Sequence, residues 1–429
     1  MDTIREVTAN AQSQSASLPV IAGGRQAKTT PYTREPRYGD DELKELQEAL
    51  AQGSLFFAHG AKVRQLEAEY AAYAGAAHAI ATSSGTATIH AALMAAGVSP
   101  GDEVIVPPIT DMGSIVPILF QGAIPVFADI EFGSANLDPS SVEKNITDKT
   151  RAILVVHLAG IAANMDAIKQ IADERKIAII EDCAQAHGCT YDGVMVGNLG
   201  IAGCYSLNEF KHISCGDGGV VVTNDPRFAQ RCRLSIDKAY TRDFGKARRS
   251  PSFLANNYRM TELQAAVARA QLRKLDSIVS RRRVWCGELS QRLSGIRGLH
   301  LPEVTPKCDP SWWFYLMRID PEVLSASADR VTEALRAEGM PVTAHYIGEP
   351  IYQYPLFVNH SAFDHADHPF VARQYGKGLC PNAERILDTC IMLSVNEAYS
   401  AKDLSETVNA FEKVFNWFAS QRRMAVAAT

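Results

Sequence analysis

Two stretches of this 429-residue chain hold side chains whose types and spacing could do chemistry together: IIEDCAQAHG at residues 179–188 and CYSLNEFKHISCGDGG at residues 204–219. The first closes an apolar run with an acid, Asp182. The second frames one lysine, Lys211, with small residues and glycines. An amine and a carboxylate placed this way suit carbonyl chemistry through a Schiff base. The amine attacks an aldehyde, and the carboxylate keeps a pyridine nitrogen protonated so that the ring draws electrons. Each residue also has a plainer use, since an aspartate after an apolar run caps a turn and most lysines are solvated. A third stretch adds weight. In ATSSGTATIHAALMAAG a strand runs through Ser84, Gly85 and Thr86 into a helix, whose first N–H groups can hold an anion that Gly85 lets approach closely. The same three residues would also serve as an ordinary helix cap.

Taken together, these runs resemble the DegT/DnrJ/EryC1/StrS family of sugar aminotransferases, over roughly residues 31 to 420. The resemblance rests on EDCAQAHG, on Ser206, Lys211, Gly216, Asp217, Gly218 and Gly219 in their S-x(4)-K-x(4)-G-D-GG spacing, and on NNYRMTELQAA. It implies an α/β architecture of PLP-dependent transferase type I (aspartate aminotransferase-like): a large domain with a mainly parallel sheet, plus a small α+β C-terminal domain. It implies pyridoxal 5'-phosphate as cofactor, with pyridoxamine 5'-phosphate as intermediate. Asp182 would pair with the pyridine nitrogen, Gln185 would lie beside the phenolic oxygen, and Lys211 would form the Schiff base and, once freed, move the proton. Ser84, Gly85, Thr86 and Ser206 would hold the phosphate. Asn257 would reach across a homodimer interface to the partner's phosphate, giving composite active sites, although an asparagine there could also cap the next helix.

The implied reaction moves an amino group from L-glutamate or L-glutamine to a small-molecule keto sugar or keto cyclitol. The long segment from His345 to Ser400 resembles cyclitol-type members such as scyllo-inosose aminotransferases, and His345, Tyr346, Tyr352 and Asn396 are its candidates for the substrate pocket. Nucleotide-sugar aminotransferases remain an alternative. His187 and His157 could contact substrate or serve only as structural histidines, and Arg259 and Lys238 are candidates for a donor carboxylate anchor. One departure stands out: the family usually places a ring-stacking aromatic where this chain has Asp111, in PPITDMGS. Asp111 could bind a sugar hydroxyl or cap a helix beginning near Gly113. A PLP-dependent sugar dehydratase would carry histidine in place of Lys211. A non-catalytic regulator of this fold would lose Lys211 or Asp182, or gain a DNA-binding region, and the sequence shows neither change.

The elements that must position these residues alternate. HAIAT, EVIVPP, IPVFADI, AILVVHL, IAIIEDC and GGVVVTND read as strands separated by helix-length segments, which implies crossovers and a mostly parallel sheet. Such sheets place their chemistry at the carboxyl ends of the strands. A helical pattern runs from Arg259 to Gly295, and further helices are expected near Asp329 to Gly339 and from Ala401 to about Arg422. The division expected is a flexible arm at 1–28, a large domain at 29–275, and a linking helix with the small domain at 276–429. A net charge of −5 with no long basic run gives no reason to expect nucleic acid. No apolar run has membrane-spanning length, and the nine cysteines form no CxxC pair, so a cytoplasmic protein with reduced thiols and no metal is expected.

Overall fold

The computed structural model describes residues 18–243, 246–248 and 250–427. The apolar runs form the seven strands of a central sheet: β1 His78–Thr82, β2 Glu103–Val106, β3 Ile124–Phe127, β4 Thr150–Val156, β5 Ala178–Asp182, β6 Ala202–Ser206 and β7 Gly219–Thr223. Their order is β1-β7-β6-β5-β4-β2-β3. Every pairing from β6 to β3 is parallel, whereas β7 runs antiparallel to both β1 and β6. Six strands coincide with runs read from sequence. The seventh, β6, has the composition AGCYS, too small and polar to stand out, yet all five residues are buried. Small residues are required there: a Cβ on Gly203 would stand 2.3 Å from the Gly197 Cα.

Helices cover both faces, as a buried parallel sheet needs. On one side pack α3 Gly85–Ala95, α4 Met112–Phe120 and α6 Pro226–Ser235, and on the other α2 Lys62–Ala74, α5 Met165–Arg175 and α7 Glu262–Leu272. Outside α2 and α7 lies α1 Asp40–Ala51. The single helical pattern expected over 259–295 is two helices, α7 and α8 Leu275–Leu293. Arg273 and Lys274 at the break bond to Glu45 and Glu42 of α1, at 3.0 and 2.6 Å. From there α8 leads to a four-stranded antiparallel sheet of β8 Leu299–His300, β9 Phe314–Ile319, β10 Val342–Ala344 and β11 Cys390–Ser394, ordered β8-β9-β11-β10. Helices α9 Ala328–Ala337 and α11 Ala401–Ala427 enclose its core with α8, and α10 Pro381–Thr389 precedes β11. No helix among the described residues is long and apolar enough to cross a membrane. All nine cysteines are free thiols.

Two expectations change. Of the arm expected at 1–28, residues 1–17 lie outside the described residues, but 18–28 are held against the small domain. The buried Glu338 carboxylate accepts from the backbone N–H of Val20 and of Ala27, each at 2.7 Å, and Lys28 pairs with Asp403 and Glu406. The segment read as substrate-lining instead seals the free edge of the sheet. Tyr352, Phe357 and Phe370 are fully buried, and the first two place their rings 5.5 Å from that of Phe127 in β3. The Tyr375 hydroxyl donates to the Pro125 carbonyl on the same strand at 2.8 Å. An uncovered edge invites pairing with another chain, and this aromatic cover removes it. Phe357→Ala is therefore expected to destabilise the protein by about 3–5 kcal/mol, read as a fall in the urea unfolding midpoint.

Candidate active site

The site is built around one glycine. Gly219 opens β7 and pairs with Thr82 at the end of β1 on one side and with Ser206 at the end of β6 on the other. Its missing side chain matters, because a Cβ would stand 2.6 Å from the Ser84 carbonyl oxygen. The close approach brings the Ser84-Gly85-Thr86 turn beside Ser206, and a Cβ on Gly85 would in turn stand 2.6 Å from that of Ser206. Ser84 caps α3, its hydroxyl accepting from the Ala87 N–H at 3.1 Å. The remaining N–H groups of the first turn of α3 face a cavity of about 380 Å³, lined by Ser84, Gly85, Thr86, Asp111, Asp182, Gln185, Ser206 and Lys211 among others. Eight residues singled out in the sequence thus meet in one place.

Asp182 ends β5 and is only 4 % exposed. Its Oδ2 accepts from the Ser114 hydroxyl at 2.7 Å and its Oδ1 from the Ala184 N–H at 3.0 Å. Ser114 lies in the first turn of α4 and also bonds to Thr110, at 2.7 Å. Burial pushes the Asp182 carboxyl above the usual range, and the two donors and the Lys211 charge only partly offset it. Glu181, one residue earlier, points to the opposite face of the strand. It accepts from the N–H groups of Gly197, Leu199 and Gly200 at 2.6–2.8 Å and bonds to His157 at 3.0 Å. His157 is fully buried, its Nδ1 accepting from the Ala163 N–H, so it is a structural residue and does not reach the cavity.

Lys211 sits on the loop between β6 and β7, with its Nζ 3.9 Å from the ring centroid of Trp313. Burial lowers its pKa, opposed by the charges of Asp182 and Asp111. Gln185 accepts from the Ala159 N–H through Oε1 at 2.8 Å. Asp111 takes the capping role, its Oδ1 accepting from the Gly113 N–H of α4 at 2.7 Å, and it is also among the residues that line the cavity.

Other candidates are placed elsewhere. His187 lies beneath the cavity with both ring nitrogens engaged, by the Tyr70 hydroxyl at 3.1 Å and the Ser206 carbonyl at 2.8 Å, and burial pushes its pKa down to about 4. It supports Ser206 and cannot face a substrate. His345 is spent on the Leu387 carbonyl and Asp329 of the small domain. Tyr346 does not line the cavity, but its hydroxyl lies 3.4 Å from the Gln185 amide nitrogen. Tyr352 bonds to Glu384 within the core, and Asn396 caps the turn at Ala398. Arg259 is paired with Asp237, and Lys238 rests on Tyr240. Asn257 is exposed and outside the cavity of its own chain. The sequence reading missed Ser114, Asn208 and Trp313. Ser114 could have been found from its position three residues after Asp111 in a helical first turn, whereas Trp313 lay hidden in an apolar run that reads as strand.

Residues 36–412 match the DegT/DnrJ/EryC1/StrS aminotransferase family. The chain is similar to a dTDP-3-amino-3,4,6-trideoxy-alpha-D-glucose transaminase from Streptomyces venezuelae, 37% identical over 300 residues that cover 70% of this chain and 76% of the relative. Among solved structures it is similar to 3-amino-5-hydroxybenzoic acid (AHBA) synthase, with TM-score 0.80 and 30% identity over 91% of this chain and all of that one. It is also similar to S. venezuelae DesV in complex with a ketimine intermediate, with TM-score 0.77 and 31% identity over 91% of this chain and 99% of that one.

The raised pKa of Asp182 has a signed consequence. Between the unfolded and folded values the native state binds more protons than the unfolded one, so stability falls as pH rises through that window and the ionised carboxylate destabilises the ligand-free protein above it. Asp182→Asn is expected to raise the melting temperature of the ligand-free protein at pH 7 and to flatten its pH dependence between pH 4 and 7, measured by differential scanning calorimetry.

Proposed function

The chain belongs to the DegT/DnrJ/EryC1/StrS aminotransferase family, and we propose that it is a PLP-dependent enzyme that moves an amino group from L-glutamate or L-glutamine to a keto sugar or keto cyclitol. The observation that carries this reading is the joining of three features in one cavity: a buried, under-paired carboxylate, a desolvated lysine, and a helix N-terminus whose glycine has no room for a Cβ. That set fits a phosphorylated pyridine aldehyde. The N–H groups of the first turn of α3 and the hydroxyls of Ser84, Thr86 and Ser206 would hold the phosphate, and Asp182 would pair with a protonated ring nitrogen.

Pyridoxal phosphate, when bound, supplies an electron-withdrawing ring that lowers the cost of removing a proton from the carbon bearing the amino group. The chain supplies the rest. Asp182 holds the ring nitrogen protonated, and Ser114 and the Ala184 N–H fix the rotamer of Asp182. The Lys211 amine, its pKa lowered by burial, would take the proton from the carbon bearing the amino group and return it to the carbon on the other side of that nitrogen. Gln185, held by the Ala159 N–H, lines the same wall. Asp111, Asn208 and Asp217 offer polar atoms for the hydroxyls of a polyhydroxylated acceptor.

Lys211 is the one basic residue among the described residues that line the cavity, and the donor carboxylate is expected to find its anchor outside that set. A homodimer with composite sites supplies it. The exposed Asn257, and Phe210, which is 77% exposed at the cavity rim, are the residues expected at that interface. A nucleotide-linked acceptor is the second reading, favoured by the dTDP-sugar named for the 37% identical relative. Among the described residues none from 345 to 400 lines the cavity, so that segment gives the cyclitol reading no support of its own.

Lys211→Ala is expected to reduce turnover by at least about 1,000-fold with an unchanged circular dichroism spectrum; retained multiple turnover would contradict the assignment. Adding L-glutamine or L-glutamate alone to the PLP-loaded protein should convert its absorption spectrum to that of the pyridoxamine form, and the donor that does so is the physiological type. Mixing inactive Lys211→Ala and Asn257→Ala subunits should restore part of the activity if the sites are composite, and none if each chain is self-sufficient.

A further inference from the structure

Among the described residues, the fully buried lysines are paired with carboxylates. Lys28 bonds to Asp403 and Glu406, Lys62 to Glu45 and Glu48, and Lys413 to Glu338, all at 2.5–2.9 Å. Lys211, half-buried at the cavity wall, differs. Among the described residues its Nζ has no hydrogen-bond or ion-pair partner, and what it meets is the face of Trp313, 3.9 Å from the ring centroid. The indole is itself fixed. Its Nε1–H donates to the carbonyl of Phe210, the residue before the lysine, at 2.7 Å. Its backbone N–H donates to the Ala159 carbonyl at 2.9 Å, and its carbonyl accepts from Arg282 at 3.2 Å. Arg282 is in turn held by Glu397 at 2.6 Å. The ring therefore moves with the lysine loop and the wall that carries Gln185.

We infer that Trp313 is a positioning residue for Lys211, its indole face serving as the dock on which the amine rests whenever it is not covalently engaged. The inference rests on the reading that this amine forms a bond to an aldehyde. A carboxylate in the same place would hold the group as ammonium, unable to attack. A π face attracts the cation more weakly, so it fixes the position of the nitrogen without fixing its proton. The flat, wide indole also keeps water from the amine on that side. Burial is the main cause that lowers the pKa of Lys211, and the ring contributes to that burial.

The test uses the full-length, cofactor-free protein and pyridoxal phosphate itself. The Nζ lone pair adds to the aldehyde carbon, a C=N bond forms, and the carbonyl oxygen leaves as water with the two nitrogen protons. Borohydride then delivers hydride to that carbon while the nitrogen takes a proton from water, and the stable secondary-amine adduct on the Lys211 peptide is counted by mass spectrometry across pH. Trp313→Ala is expected to move the midpoint of capture upward by about one pH unit and to slow capture at pH 7 by about tenfold, while Trp313→Phe, which keeps a π face, stays within about twofold of wild type. Wild-type midpoint and rate in a folded Trp313→Ala protein would overturn the inference. Absence of capture at Lys211 in the wild type would instead overturn the proposed function and the inference with it. A second measurement holds even if Trp313→Ala fails to fold: the emission lost on Trp313→Phe substitution should titrate in the wild type with the capture midpoint. The same titration persisting in Lys211→Met would refute the contact.

Discussion

Two consecutive carboxylates buried at the carboxyl end of the central strand are the constraint around which this protein is arranged. Because side chains alternate along a strand, Glu181 and Asp182 point to opposite faces of the sheet. Glu181 has four donors and is saturated, and it closes the 197–200 loop against β5 while orienting His157. Asp182 has two donors and, among the described residues, no ion-pair partner, the Lys211 charge only partly offsetting its burial. A buried anion in that condition is costly unless something positive completes it. One carboxylate thus fastens the scaffold, and its neighbour is left incomplete toward the cavity.

The same contrast runs through the basic residues. Lys28, Lys62 and Lys413 are matched with acids and tie distant segments together, whereas Lys211 rests on an aromatic face. The groups that hold the fold are satisfied internally. Those facing the cavity are held in place by neutral contacts, from a serine hydroxyl, a backbone N–H or an indole, which constrain geometry while leaving charge uncommitted.

Much of this was legible in the sequence for identifiable reasons. The strands with β-branched runs, AILVV and GVVVT among them, announced themselves because both faces are buried. Gly85, Asp182 and Lys211 stood out through the spacing of the runs that hold them, since each taken singly has a plainer structural use. Strand β6 did not, since AGCYS was chosen for close approach rather than for burial of large side chains. Nor did the partners: Ser114 and Trp313 come to Asp182 and Lys211 from 68 and 102 residues away in sequence, and no local pattern encodes such a meeting. His187, open in the sequence between contact with substrate and a structural role, takes the structural one. Its neighbour in sequence, Gln185, lines the cavity, but two further residues turn the chain under the sheet, where the ring braces Ser206. Tyr352 was read as a pocket candidate because its role in the edge cover depends on β3 being last in the sheet, a topological fact absent from the local sequence.

The reversal of β7 has a mechanical meaning. Had it run parallel to β6, the chain would have needed a crossover to the far end of the sheet, and the segment carrying Lys211 would have been one end of a long connection. Because β7 is antiparallel, that segment leaves and re-enters the sheet at the same end of the strands, pinned at its base by the Leu207 N–H to the Gly218 carbonyl at 2.8 Å and the Ser206–Gly219 pair. It behaves as a clamped arch rather than a tether. The backbone on either side of Lys211 has little freedom to travel, so the working stroke of the amine is confined to rotation about the lysine's own side-chain bonds.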